Sequence, residues 1–288
     1  MDEKKVRWHG MRELIKEIST LRFLSVCFLL FALVLTVSSG IDRLINQTGI
    51  SITPWVAPHF FSNREFGALF GFLVCYMYSD IPFLNRHELY GVIRKGRTVW
   101  LTEKLFVITG EAGIVTVLGH LMCVLVFIPH ISFEAGWGRI IYTLCYSGQK
   151  MSQMNIYGTG YGSIVQNYDP WQAMLISIVL TWAVVLFFGL LMFSISLWVG
   201  RIAAMFVALT MAALNYLYKI TLFLDWIKYV TPFNWNALGR QGTVIFGPSF
   251  YPSLRESAVI LICSCLALLA AVMFKCKGLQ FNSLNEEV

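Results

Sequence analysis

The sequence contains little charge. Asp, Glu, Lys and Arg make up only 13% of its 288 residues, about half of the share that is usual in a soluble domain. Hydrophobic residues make up 57%, and a soluble globule of this size exposes too much surface to bury them all. This composition excludes a disordered chain and predicts that most of the protein lies in lipid.

The sequence also lacks the patterns that carry most enzyme chemistry. None of its seven cysteines forms a CxxC pair, and most lie in apolar runs, where cysteine behaves as a small hydrophobe. It contains no HExxH motif and no convincing Ser–His–Asp set. A near match to a phosphate loop at 91–98 has Arg97 where lysine is required, and it lies between two apolar runs. These absences predict a chain that is not an enzyme and holds no cofactor or metal of its own.

Instead, the chain has a series of apolar runs of membrane-spanning length. A spanning helix needs about 20 mostly apolar residues. We therefore predict an all-α, polytopic integral membrane protein with six transmembrane helices, at 23–39, 66–83, 105–131, 171–199, 202–224 and 258–274. These runs form one transmembrane domain over 23–274. The first run is longer than the roughly 7–15 residues of a signal-peptide core, so we interpret it as an uncleaved anchor rather than a signal peptide.

The basic residues are distributed unevenly between these runs. With six spans, 14 of the 22 Lys and Arg residues fall on one side, in the leader 1–22, the loop 82–104, Arg201 and the tail 275–288. Because basic loops stay cytoplasmic, this bias predicts a multi-pass protein of the cell membrane with both termini in the cytoplasm. The net charge of +6 then reflects orientation, and no nucleic-acid partner is expected.

The leader 1–22 carries the pattern of an amphipathic helix. Its apolar residues recur at helical spacing, at Trp8, Met11, Leu14, Ile15, Ile18 and Leu21. Charged residues, among them Arg12 and Lys16, occupy the other face. Such a helix lies naturally in the cytoplasmic membrane interface. It either sets the orientation of the chain or contacts a cytoplasmic partner, and the two roles are compatible.

The loop 82–104 is the longest one on the predicted cytoplasmic side. A short apolar face at helical spacing is surrounded there by basic side chains. The predicted docking surface consists of Arg86, Leu89, Val92, Ile93, Arg94, Lys95 and Arg97. A short amphipathic helix of this kind can bind in a groove of a partner protein. The alternative is a solvated basic loop that only sets the topology.

Two long segments fall on the predicted outer side. Segment 132–170 is rich in Trp and Tyr, which are typical of membrane surfaces, and a structural role is expected. Segment 225–257 is apolar enough to dip into the membrane, but Pro232 and Gly239 break it too much for a span. We predict short re-entrant or interfacial helices there, because non-helical backbone at that depth must be covered by protein.

Few ionisable residues fall inside the predicted spans. Glu111 and His120 lie in the third span, nine positions apart and therefore on opposite sides of one helix. Ionisable groups within a membrane are candidates for a transport pathway. For both residues the alternative is a structural hydrogen bond, and Glu111 also lies close enough to the helix start to snorkel.

Three features together resemble the membrane subunits of type-2 bacterial ABC exporters. They are the amphipathic helix at 8–22 followed by six spans, the Arg- and Gly-rich loop ending at 93–100, and the segment 231–235 before the last span. The resemblance implies a permease in the bacterial cell membrane that pairs with a second permease subunit, identical or different. It also implies that the loop 82–104 is a coupling helix docked on a separate ATPase subunit, which binds ATP and Mg²⁺.

Two other classes of function are compatible with the sequence. One is an ion- or proton-coupled secondary transporter or channel that uses Glu111, although the chain shows no convincing internal repeat of the kind such transporters have. The other is a non-transporting membrane scaffold or immunity protein. The sequence does not identify a substrate.

Overall fold

The computed structural model of the chain describes residues 3–80, 96–147, 160–217, 229–241 and 251–278. Regular structure over these residues is helical, apart from one isolated bridge between Ile52 and Ile131. The described helices are α1 (Glu3–Ile18), α2 (Leu21–Thr48), α3 (Ala57–Phe61), α4 (Arg64–Met77), α5 (Arg97–Leu125), α6 (Gly138–Tyr146), α7 (Gly162–Asn167), α8 (Pro170–Trp198), α9 (Arg201–Leu217), α10 (Pro232–Trp235) and α11 (Leu254–Gly278). The predicted all-α class is confirmed for this part of the chain.

Four of the described helices are long and apolar enough to cross a membrane: α2, α5, α8 and α11. They coincide with the first, third, fourth and sixth predicted spans, which confirms a membrane-embedded protein. The second predicted span falls on α4, which has 14 residues, and the fifth falls on α9, whose last residue, Leu217, is also the last of a described range. The prediction of six spans therefore goes beyond the four that the described helices support.

Polar side chains and one glycine determine where these helices begin and end. Thr20 accepts a hydrogen bond from the Phe23 backbone N–H and caps α2, as Asn63 does for α4. Asp169 forms a reciprocal capping box with Gln172 at the start of α8. α2 ends at Gly49, whose φ of 64° is a left-handed conformation that glycine adopts without strain.

Helices α5 and α8 form the centre of the bundle. α8 packs against α5, α9 and α11, and α5 packs in turn against α1 and α2. In the apolar stretch of α8, 56% of the residues are buried inside the protein, compared with 17% in α11. The peripheral helices therefore present most of their apolar side chains outward, as expected for surfaces that face lipid.

Helix α1 lies along the first half of α5. A Cβ atom at Gly10 would lie 3.0 Å from Cδ1 of Phe106, and a Cβ atom at Gly110 would lie 2.7 Å from Cδ2 of Leu14. The helix ends at Ile18, four residues before the end of the predicted amphipathic segment, because Thr20 caps the next helix. Its placement in the membrane interface stays a prediction.

Part of the apolar face of α1 is not covered by α5. Trp8, Met11 and Ile15 are 62%, 53% and 60% exposed, and Arg12 and Lys16 are exposed beside them. The predicted apolar face is thus divided between a packed side and an exposed, basic-flanked side. This exposed side is what the membrane interface or a cytoplasmic partner would contact.

Candidate functional site

A cavity of about 1330 Å³ lies between α4 and α9. Its walls are mostly apolar, and they include Phe72 and Cys75 on α4 and Met205, Phe206 and Leu209 on α9. The volume exceeds the range of about 300–1,000 Å³ that is typical of small-molecule pockets. The cavity therefore has the size and chemistry to hold a large apolar molecule or the side of another helix.

Three charged residues meet beside this cavity. Asp80 forms ion pairs with both Arg22 and Arg201, and the Nε atom of Arg201 donates to the Ser79 carbonyl oxygen at 2.8 Å. Arg22 lies at the start of α2, Asp80 follows α4 and Arg201 begins α9. One carboxylate thus joins the ends of three helices. In the sequence, Asp80 is visible only as an interruption of an apolar run.

Glu111 is buried on α5, at the place where α1 meets the start of α2. Its side chain interacts electrostatically with Glu17, Arg22 and Lys104, and the Tyr78 phenol is a further neighbour. Its Oε2 atom is buried and has no hydrogen-bond partner among the described residues. A buried carboxyl oxygen without a partner is unusual, and such groups occur at sites of ion or proton exchange.

His120 is also buried, but both of its ring nitrogens have partners. Nδ1 lies 2.9 Å from the Thr116 carbonyl oxygen, and Nε2 lies 3.0 Å from Oγ of Ser177 on α8. The ring stacks on Phe61 with 4.3 Å between the ring centroids. This arrangement favours the structural alternative for His120, and it shares no partner with Glu111.

The predicted docking surface is described at only one of its seven residues. Outside the described residues lie Arg86, Leu89, Val92, Ile93, Arg94 and Lys95. Arg97 is the first residue of α5, and its carbonyl oxygen lies 3.8 Å from Sγ of Cys276 near the end of α11. The docking loop therefore leads directly into one of the two central helices.

At the other end of α4, side chains from distant segments form a second polar group. This outer cluster consists of His59, Arg64, Tyr161, Arg240 and Tyr251. Nη2 of Arg64 donates to the Tyr251 hydroxyl at 2.6 Å, and Nη2 of Arg240 donates to the Tyr161 hydroxyl at 3.0 Å. The Arg240 guanidinium also lies over both tyrosine rings, 5.7 and 5.8 Å from their centroids. No local sequence pattern predicts the cluster, because its members are up to 192 positions apart.

The electrostatics of the outer cluster keep its charge positive. Burial raises the pKa of Tyr161, against the opposite effect of the Arg240 charge, so the phenol stays neutral. Burial lowers the pKa of Arg240, but Tyr161 and Tyr251 outweigh burial and the pKa is raised overall. Arg240 therefore stays charged beside the neutral Tyr161 phenol.

His59 packs against the same tyrosine. Its Nδ1 atom accepts a hydrogen bond from the Tyr161 backbone N–H at 3.2 Å, and its ring stacks on the Tyr161 ring. Burial lowers the pKa of His59 to about 3, so the ring is neutral at physiological pH. Because Nδ1 accepts, the proton lies on Nε2, and Nε2 is buried without a hydrogen-bond partner among the described residues.

The segment that contains α10 holds the outer cluster against the bundle. Residues 231–239 are all buried, and Phe233 stacks on Phe188 of α8 at 5.0 Å. The Gly239 N–H donates to Oγ of Ser62 at 2.8 Å, and its carbonyl oxygen accepts from Oγ of Ser163 at 2.6 Å. A short buried helix is thus present in the described part of segment 225–257, and its re-entrant or interfacial position in the membrane stays a prediction.

Neither a metal site nor a similar protein identifies the function. Within the described ranges, no group of three or more His, Cys, Asp or Glu residues could hold a metal ion. No protein-family model, curated protein or solved structure matches this chain.

Proposed function

We propose that the chain is the permease subunit of an ATP-driven exporter of the type-2 ABC class. In this proposal it has six spans, lies in a bacterial cell membrane with both termini in the cytoplasm, and forms the pathway together with a second permease subunit. The observation that carries the proposal is the apolar cavity between α4 and α9, which the described helices line without filling. Such a wall suits a pathway that two subunits complete.

The position of α5 supports mechanical coupling to an ATPase partner. The loop 82–104 leads into α5, which packs against α1, α2 and α8. A push on this loop by two ATPase subunits that close on ATP and Mg²⁺ would move the centre of the bundle. The cavity walls on α4 and α9 would follow through the Asp80 ion pairs with Arg22 and Arg201.

Charge reversal in the loop tests this coupling. Changing Arg94, Lys95 and Arg97 to Glu makes the charge of the predicted docking surface more negative by six units. We expect this variant to insert into the membrane but no longer to stimulate ATP hydrolysis by the partner. The measurement is the ATPase rate of the complex reconstituted in proteoliposomes.

A matched control reverses three basic residues of the predicted outer side: Arg43, Arg139 and Arg255. All three are exposed, and the total change in charge is the same. The control is expected to keep the stimulated ATPase rate. Unchanged stimulation in the loop variant would refute the docking role.

The Oε2 atom of Glu111 is buried and has no hydrogen-bond partner among the described residues. This favours a second candidate function, proton- or ion-coupled transport without an ATPase. Glu111→Gln keeps the shape of the side chain and removes the exchangeable charge. If the second candidate holds, this variant abolishes flux that is driven by an ion or pH gradient in proteoliposomes. The exposed Glu65→Gln is the control and keeps that flux. Gradient-driven flux that is equal in both variants would contradict this candidate.

A further inference from the structure

The outer cluster contains more positive charge than its own segments neutralise. Arg64 and Arg240 both contact Tyr251, one by a hydrogen bond and the other over the ring. The four stretches that supply the cluster, 57–64, 160–163, 231–241 and 251–253, contain no Asp or Glu. The nearest acid in sequence, Glu65, is exposed. Guanidinium groups in a partly buried setting are suited to binding oxyanions, because their planar fork matches the geometry of the anion's oxygens.

Two buried donors in the cluster lack an acceptor. The Nε atom of Arg64 and the Nε2 atom of His59 are both buried and have no hydrogen-bond partner among the described residues. Both atoms carry hydrogen, because arginine is always protonated and Nδ1 of His59 is the acceptor of the Tyr161 N–H. A buried donor without a partner costs about 1–3 kcal/mol, so an oxygen-rich ligand would recover part of that free energy.

The cluster also offers access and geometry for such a ligand. Arg64 and Arg240 are only partly buried, so the two residues are not sealed inside the protein. Arg64 is the first residue of α4, whose N-terminal end adds the positive end of a helix dipole. Planar guanidinium groups bind phosphate oxygens through paired hydrogen bonds, which a single ammonium cannot match.

We propose that the outer cluster binds a phosphate group through Arg64 and Arg240, carried either by a phospholipid headgroup or by a soluble phosphate. This site is separate from the cavity between α4 and α9, and it does not depend on the proposed ATP-driven function. The proposal assigns phosphate binding to the predicted outer side of the protein, a role that neither the spans nor the loop 82–104 has.

Thermal unfolding of the purified, delipidated full chain in maltoside detergent tests the site. In one arm, inorganic phosphate is titrated at constant ionic strength with chloride as the balancing anion. In the other arm, phosphatidylglycerol is titrated into the micelles. A saturable rise of the unfolding midpoint with inorganic phosphate supports the proposal and identifies a soluble phosphate. A saturable rise with phosphatidylglycerol alone supports it and identifies a lipid headgroup.

Variants decide whether the rise belongs to the outer cluster. Arg64→Gln and Arg240→Gln should bind about tenfold more weakly or worse, since each removes a charged hydrogen bond. Arg240→Lys keeps the charge without the planar fork, so it should fold and still bind about tenfold more weakly if the glutamine variants do not fold. Arg139→Gln, an exposed arginine of the same predicted side, should behave as the wild type.

Two results would overturn the proposal. One is the absence of a saturable midpoint rise in both arms with the wild-type chain. The other is an equal rise in the wild type, Arg240→Lys and Arg139→Gln, which would mean that the anion acts on the surface as a whole.

Discussion

At the scale of single residues, the two candidates within α5 have different environments. His120 has a partner at each ring nitrogen and stacks on Phe61, whereas Glu111 has a buried oxygen without a hydrogen-bond partner in the described part of the chain. The sequence could identify both as ionisable groups in an apolar run, but it could not separate them. What separates them is Ser177, which lies 57 positions away on α8 and becomes a neighbour only in the folded bundle.

His59 predicts a dependence of stability on pH. The pKa of its buried ring is about 3, compared with 6.5 in the unfolded chain, so the unfolded chain binds the proton more readily. Above pH 6.5 the ring is neutral in both states, and the contribution of His59 to the free energy of unfolding is at its maximum. That contribution is lost as the pH falls from 6.5 toward 3, because the unfolded chain takes up the proton first. At pH 5 we expect His59 to lower the free energy of unfolding by roughly 2 kcal/mol relative to neutral pH.

The measurement is chemical unfolding in detergent micelles at pH 7 and pH 5. The free energy of unfolding differs between pH 7 and pH 5, and His59→Gln should reduce this difference by roughly the same 2 kcal/mol, because glutamine does not titrate. The exposed His130→Gln is the matched control and should keep the wild-type difference. A His59→Gln variant with the full wild-type difference would show that this ring is not the source.

At the scale of helices, hydropathy predicted where apolar segments lie but not where helices begin and end. The third predicted span starts at 105, whereas α5 begins at Arg97. Hydropathy misses the first two turns of this helix because most of their residues are polar, and it does not distinguish polar helix from loop. The same span was predicted to end at 131, but α5 ends at Leu125, shortly before Pro129, which cannot continue a helix. α2 likewise extends past 39 to its cap at Gly49.

The contact between α1 and α5 gives a prediction about a single helix pair. Gly110→Ala would place a Cβ atom 2.7 Å from Cδ2 of Leu14, so the Leu14 side chain has to shift and its contact between α1 and α5 is disturbed. We expect a loss of about 1–3 kcal/mol in the free energy of unfolding, as is usual for an overpacked contact. Thermal unfolding in detergent, with limited proteolysis of α1, measures the loss and the release of the helix.

Gly113 provides the control on the same helix. A Cβ atom there would lie 3.8 Å from Nε1 of Trp182, which is an ordinary contact, and alanine favours the helix over glycine by about 0.8–1.0 kcal/mol. Gly113→Ala should therefore be neutral or stabilising, with α1 still protected. Equal stability of the two variants would contradict the close approach of α1.

At the scale of the whole molecule, the sequence predicted the class of protein and not its long-range polar groups. Apolar runs and the bias of basic residues are local signals, and the membrane-embedded, all-α fold follows from them. The Asp80–Arg201 ion pair and the Arg64–Tyr251 hydrogen bond join residues more than 100 positions apart, for which one sequence carries no pairing information. The cavity between α4 and α9 arises in the same way, from the packing of two helices that are distant in sequence.

The central claim is that this chain works with a separate ATPase. The most direct measurement is purification of the tagged full chain from its native membrane in a mild detergent, followed by quantitative mass spectrometry of the proteins that accompany it. We expect a near-equimolar partner that carries the GxxxxGK[ST] phosphate loop this chain lacks. A chain that purifies without any such protein, and that transports on an ion gradient alone after reconstitution, would contradict it.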